Sequence, residues 1–144
     1  MRSKALAVAP LLVMALTGCG SQSDTEQYAS KLSAMCEDFA AREQEIGEPT
    51  GPEDLAARGD RIVAAFEETI LEPIRELDAP PEIAPQAAQL RTLARQQRDV
   101  LRDLADAGRA GDVQRVRQLV ARNTTLNSQA GRIANDLDAR SCTR

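Results

Sequence analysis

With 144 residues, 22 acidic and 18 basic side chains and a net charge of −4, the chain is long enough for one domain with a modest core. Histidine is absent, which excludes the usual catalytic triads, histidine-ligated zinc and imidazole acid–base chemistry. The negative balance and the scarcity of aromatics (Tyr28, Phe39 and Phe66, no tryptophan) exclude a stacking platform for nucleic acid, and leave a core of Leu, Ile, Val and Ala that suits an all-α fold.

Arg2 and Lys4 precede an apolar run from Ala5 to Leu16, and the run closes on Leu16-Thr17-Gly18-Cys19. A membrane span needs about 20 apolar residues, and this run has 12, Pro10 included, so it reads as an export leader. Small residues before the cut and a cysteine at the first mature position allow a diacylglycerol to be attached through the sulfur. Residue for residue the pattern resembles the lipobox of bacterial lipoproteins. The resemblance implies cleavage of residues 1–18, lipidation at Cys19 and a mature chain hanging from the outer face of the cell membrane. A plain secretory leader with an incidental Cys19 is the alternative. Residues 19–24 form a polar tether, and the roughly seven residues from Cys19 to Thr25 reach about 25 Å at most, which keeps residues 25–144 close to the bilayer.

Four helices are expected, over about 24–45, 53–77, 82–107 and 112–138. Ser23 and Glu26 make a capping box for the first, whose stripe is Tyr28, Leu32, Met35 and Phe39, with Cys36 beside it. Gly47, Pro49, Gly51 and Pro52 break the chain, and Thr50 with Glu53 offers a second box. Leu55, Ile62, Phe66, Ile70, Ile74 and Leu77 line the second helix, which Pro73 should bend. Pro80 and Pro81 stop it. The third helix runs to Ala107, Gly108 and Gly111 make a turn, and Asp112 caps the fourth. Short links between amphipathic helices predict an up-down four-helix bundle.

Folding the last two helices about residues 108–111 sets Leu104 against Val116, Leu101 against Leu119, Ala94 against Leu126, Leu90 against Ala130, Ala87 against Ile133 and Ile83 against Leu137. Large side chains face small ones in half of these pairs, as interdigitating layers require. The same register opposes Gln97 and Asn123, the polar residues of the two stripes. They are a candidate buried pair that fixes register; the functional alternative is a small polar pocket.

Setting aside Cys19 leaves Cys36 and Cys142, an even number that predicts one disulfide in an oxidising compartment. Straight packing puts Cys36 near Ile62, some 28 Å from the level of Cys142, so either the first helix sits low or the tail after Asp138 folds back. A low first helix, with residues 45–52 stretched, is the expected solution.

Charge is divided: residues 19–82 carry 16 acids and 5 bases, residues 83–144 carry 6 and 11. Arg91, Arg95, Arg98 and Arg102 form a stripe on the third helix, expected to face Asp60, Glu67, Glu68 and Glu72 of the second; an anion-binding ridge is the rival reading. Adjacent carboxylates such as Glu67 and Glu68 diverge by about 100° on a helix and make no catalytic pair, so an enzyme, a cofactor and a metal are not expected.

From Tyr28 to Cys142 the chain resembles small secreted or lipid-anchored helical proteins of actinobacteria, through Cys36, Leu77-x-x-Pro80-Pro81, Gly111-Asp112, Ala130-Gly131 and Cys142. That resemblance implies a disulfide-linked helical fold and supplies no activity. The expected function is a non-enzymatic binding or accessory module at the cell envelope, with the membrane and another envelope protein as partners. Its competitor is a carrier or sensor of a small apolar or anionic ligand, such as a lipid or envelope polymer. A large cavity or apolar groove favours the carrier, a dry filled core the module.

Overall fold

The computed structural model describes residues 22–48 and 50–143; the leader, Cys19 and the start of the tether lie outside them. The described residues are helical throughout, with no strand among them. The α-helices are α1 (Asp24–Ile46), α2 (Pro52–Phe66), α3 (Glu72–Glu76), α4 (Ala84–Arg109) and α5 (Val113–Asp136). Because a π-helical turn, Glu67–Leu71, joins α2 directly to α3, the described residues form four helical rods.

Local chemistry sets the ends. At α1 the Glu26 N–H donates to Ser23 Oγ (3.2 Å), and the Ser23 N–H donates to the Glu26 carboxylate (2.7 Å). Gly47 ends α1 at φ +73°, its N–H donating to the Glu43 carbonyl. The start of α2 differs from the Thr50–Glu53 box expected. Gly51 occupies the cap position, and Asp54 accepts from both the N–H and the hydroxyl of Thr50, at 2.9 and 3.1 Å. Arg58 Nε (2.6 Å) holds the Asp54 carboxylate in this place. These bonds, the Thr50 N–H foremost, lower the Asp54 pKa.

The second rod changes phase at its π turn. Pro73 has no N–H to give to Thr69, and the Glu72 N–H reaches back five residues to the Glu67 carbonyl. One extra residue in the turn rotates the remainder of the rod by about 100°, so Leu71 joins Phe66 in the core and Ile70 is left half-buried. The expected stripe is thereby corrected from Ile70 to Leu71; ahead of the turn Val63 is buried where Ile62 is half-buried, and Phe66, Ile74 and Leu77 are buried as expected.

α4 is the central rod, packed on α2 and α5 alike. It buries Leu93 and Val100 beside Ala87, Leu90 and Ala94, a wider face than a single stripe. Positions on α2 and α4 ascend and descend together: Arg109 meets Asp60, Arg102 meets Glu67, and Arg91 meets the carbonyls of Ile74 and Leu77. The helices approach so closely that a Cβ on Gly59 would lie 2.8 Å from the Ala105 Cβ.

Cys36 and Cys142 are bridged, with Cα atoms 5.2 Å apart. A low first helix was the expected way to close the gap; the helix is low, and the tail folds back as well. Thr25 Oγ1 donates to Glu82 (3.1 Å) and Arg42 pairs with Glu68 (3.4 Å), which sets α1 about 15 Å lower along the second rod than straight packing would. The tail reverses at Asp138, which takes φ +64°, and the N–H groups of Asp138 and Ala139 donate to the carbonyls of Asn135 and Ala134. The 3-10 turn Arg140–Thr143 then lies back along α5, bringing the Cys142 carbonyl beside Gly131.

Candidate functional site

α1 rests on α2, the π turn and the C-terminal turn rather than along α5. Low placement of α1 and the intruding tail hold the two rods apart, and a groove of about 920 Å³ runs between them. Its α1 wall presents Glu37, Ala40, Glu43 and Gln44; its α5 wall is cut from smaller residues, Asn127, Ser128, Ala130 and Gly131. Phe39 and Ile70 are half-buried in the floor, above Leu32, Ile74, Leu90 and Ala94, none more than 5% exposed. These residues beneath the groove are therefore shielded from solvent. The disulfide, Ser141 and Thr143 complete the lining.

The charges of the groove are Glu37, Glu43 and Asp136 against Arg132. Among the described residues none of the four has an ion-pair partner within 4 Å. Glu37 accepts a hydrogen bond from the Ser141 hydroxyl at 2.6 Å. Glu43 has no compensating cation, and loss of water around its carboxyl raises its pKa.

Gln97 sits in the inner wall, buried, but Asn123 is not its partner. Gln97 Nε2 donates to Asn127 Oδ1, and Asn123 Oδ1 is buried without a hydrogen bond among the described residues. The reason is side-chain direction: residues on a helix lean toward its N-terminus. On rods of opposite direction Gln97 and Asn127 lean toward each other, whereas Asn123 leans away. Spacing alone missed Asn127; allowing for the lean would have found it.

The arginine stripe is mostly engaged. Arg91 donates to the carbonyls of Ile74 (3.2 Å) and Leu77 (2.9 Å), satisfying the end of α3. Glu67 takes Arg102 (2.6 Å) and Arg98 (3.6 Å), and Arg98 also meets Asp99. Arg95 donates to the Thr92 hydroxyl and is in no ion pair among the described residues. Of the other acids expected to face the stripe, Asp60 is held by Arg109 (2.8 Å) and Glu68 by Arg42 of α1, while Glu72 has no ion pair among the described residues. No group of three or more acidic or cysteine side chains is placed to hold a metal among the described residues. No helix there is long and apolar enough to cross a membrane.

Compared with family models, with curated proteins and with solved structures, the chain matches none.

Proposed function

We propose that the chain is the precursor of a bacterial lipoprotein of actinobacterial type: residues 1–18 are removed, Cys19 carries the lipid, and an up-down four-helix bundle stands at the outer face of the cell membrane as a non-enzymatic binding module. The lipobox supports the address. The observation that carries the binding role is the groove of about 920 Å³ between α1 and α5, polar at its rims and apolar at its floor. It lies over a closed core, so binding needs no parting of helices. A carrier of a small apolar ligand is the second reading, favoured by Phe39 and Ile70 in the floor.

Intact-mass measurement of the native product tests the address: a chain beginning at lipid-modified Cys19 is expected, and an unmodified thiol with a retained leader overturns it. A photo-reactive residue at position 130, inside the groove, tests the role in native membranes. It should crosslink where the same group at position 121, on the outer side of α5, does not. Equal labelling at both positions removes the groove from the account. A lipid adduct in place of a protein adduct establishes the carrier.

A further inference from the structure

A groove beside a helix pair can take an acyl chain or a third helix, and its charges distinguish the two. An acyl chain asks nothing of the rim. Here the rim carries Glu37, Glu43 and Asp136, which have no cation within ion-pair distance among the described residues, against one arginine, Arg132. Elsewhere the fold pairs some of its acids, Glu67 with two arginines and Asp60, Asp54 and Asp103 with one each, and leaves others such as Glu72 and Asp78 in no ion pair among the described residues; what marks the groove is three acids against one base around an apolar floor. Unpaired carboxylates bordering an apolar floor are the complement of a segment with one apolar face and basic flanks.

Shape agrees with charge. The groove follows α1 from Leu32 to Gln44, about 18 Å of helix. The α5 wall at Ala130 is small enough for a backbone to approach, as helices packed 8–10 Å apart require, while Gly131 next to it is approached by the chain's own Cys142 carbonyl. Phe39 and Ile70 offer the floor contacts an apolar face would cover.

We propose that the groove seats a basic amphipathic helix of a partner protein, its apolar side on Phe39 and Ile70 and its lysines or arginines on Glu37, Glu43 and Asp136. The proposal rests on the reading of the groove as the binding site and names the ligand class for it.

The test uses the mature lipidated protein in phosphatidylcholine nanodiscs. The probe is a synthetic leucine–lysine amphipathic helix of about 14 residues, long enough to span the groove, with its leucine–glutamate counterpart as control. The lysine helix should bind and the glutamate helix should not. Glu37→Gln, Glu43→Gln and Asp136→Asn together should weaken binding about tenfold. Ser128→Trp, at an exposed position where folding is not at stake, should abolish binding by filling the groove. Equal binding of both peptides, or lysine-helix binding that neither set of substitutions weakens, overturns the proposal. So does a long-chain fatty acid that binds, and is displaced by Ser128→Trp, where the lysine helix does not bind. That last result leaves the groove in place as a binding site, so the ligand class and the site fail separately.

Discussion

Two tightly packed positions show what single atoms contribute. Tyr28 is 2% exposed, and its hydroxyl has no hydrogen-bond partner among the described residues. Desolvation raises its pKa, against a smaller opposing effect of Arg91. The unfolded chain then ionises first, near pH 10, so this contribution to stability is complete below that pH and is lost as pH rises further toward the folded pKa. Tyr28→Phe removes an unsatisfied polar atom at nearly constant shape. It should leave stability at pH 7 unchanged or raise it by up to about 1 kcal/mol, and it should flatten the alkaline decline in melting temperature. A clear loss at pH 7 would mean the hydroxyl has a partner. Gly59 marks the opposite constraint, space rather than polarity. Gly59→Ala sets a Cβ 2.8 Å from the Ala105 Cβ, so α2 and α4 must separate. The expected cost is about 1–3 kcal/mol by denaturant unfolding, despite the better helix propensity of alanine.

Among the elements, the π turn is the most informative. Phe66 and Leu71 are both buried five positions apart, a spacing only a π turn reconciles with one face. Deleting Thr69 from the middle of this turn should restore a spacing of four between Phe66 and Leu71, with Pro73 still leaving one carbonyl of the helix without its N–H. That variant should remain folded, with a melting temperature within a few degrees of the parent, whereas deleting Leu93 from the regular α4 should abolish folding. Equal damage from both deletions would show the turn to be indispensable. This element also marks where sequence periodicity loses its hold. Phe66, Ile70, Ile74 and Leu77 continue a flawless α pattern, and nothing in the spacing announces the extra residue; only competition for the core selects Leu71 over Ile70. The first rod was legible because its cap and stripe are local: Ser23–Glu26, Tyr28 and Leu32 each act within a turn or two. The even cysteine count likewise pointed to the bridge. The tail reversal was hidden because aspartate, not glycine, adopts the positive φ at position 138. The groove was not legible at all, since the separation of α1 from α5 depends on helix offset and tail position together.

For the molecule as a whole, the disulfide joins residues 106 apart, nearly the full length of the described chain. Closing so long a loop restricts the unfolded chain by about 4–5 kcal/mol in the entropic account. Its loss would not be felt evenly. α4 is held on two sides by α2 and α5, whereas α1 is held by α2, the π turn and the C-terminal turn, which the bridge itself anchors. Cys36→Ser with Cys142→Ser should therefore lower global stability by about 2–4 kcal/mol and also create a local inequality. In native-state hydrogen exchange, α1 and residues 137–143 should lose protection well before α4 and α5, because they can leave while the α2–α4–α5 core persists. The same variant should lose affinity for anything held in the groove, since one wall and part of the lining become mobile together. Uniform loss of protection across all four rods would mean that α1 is an integral part of the cooperative core, and that the groove is a rigid recess independent of the bridge.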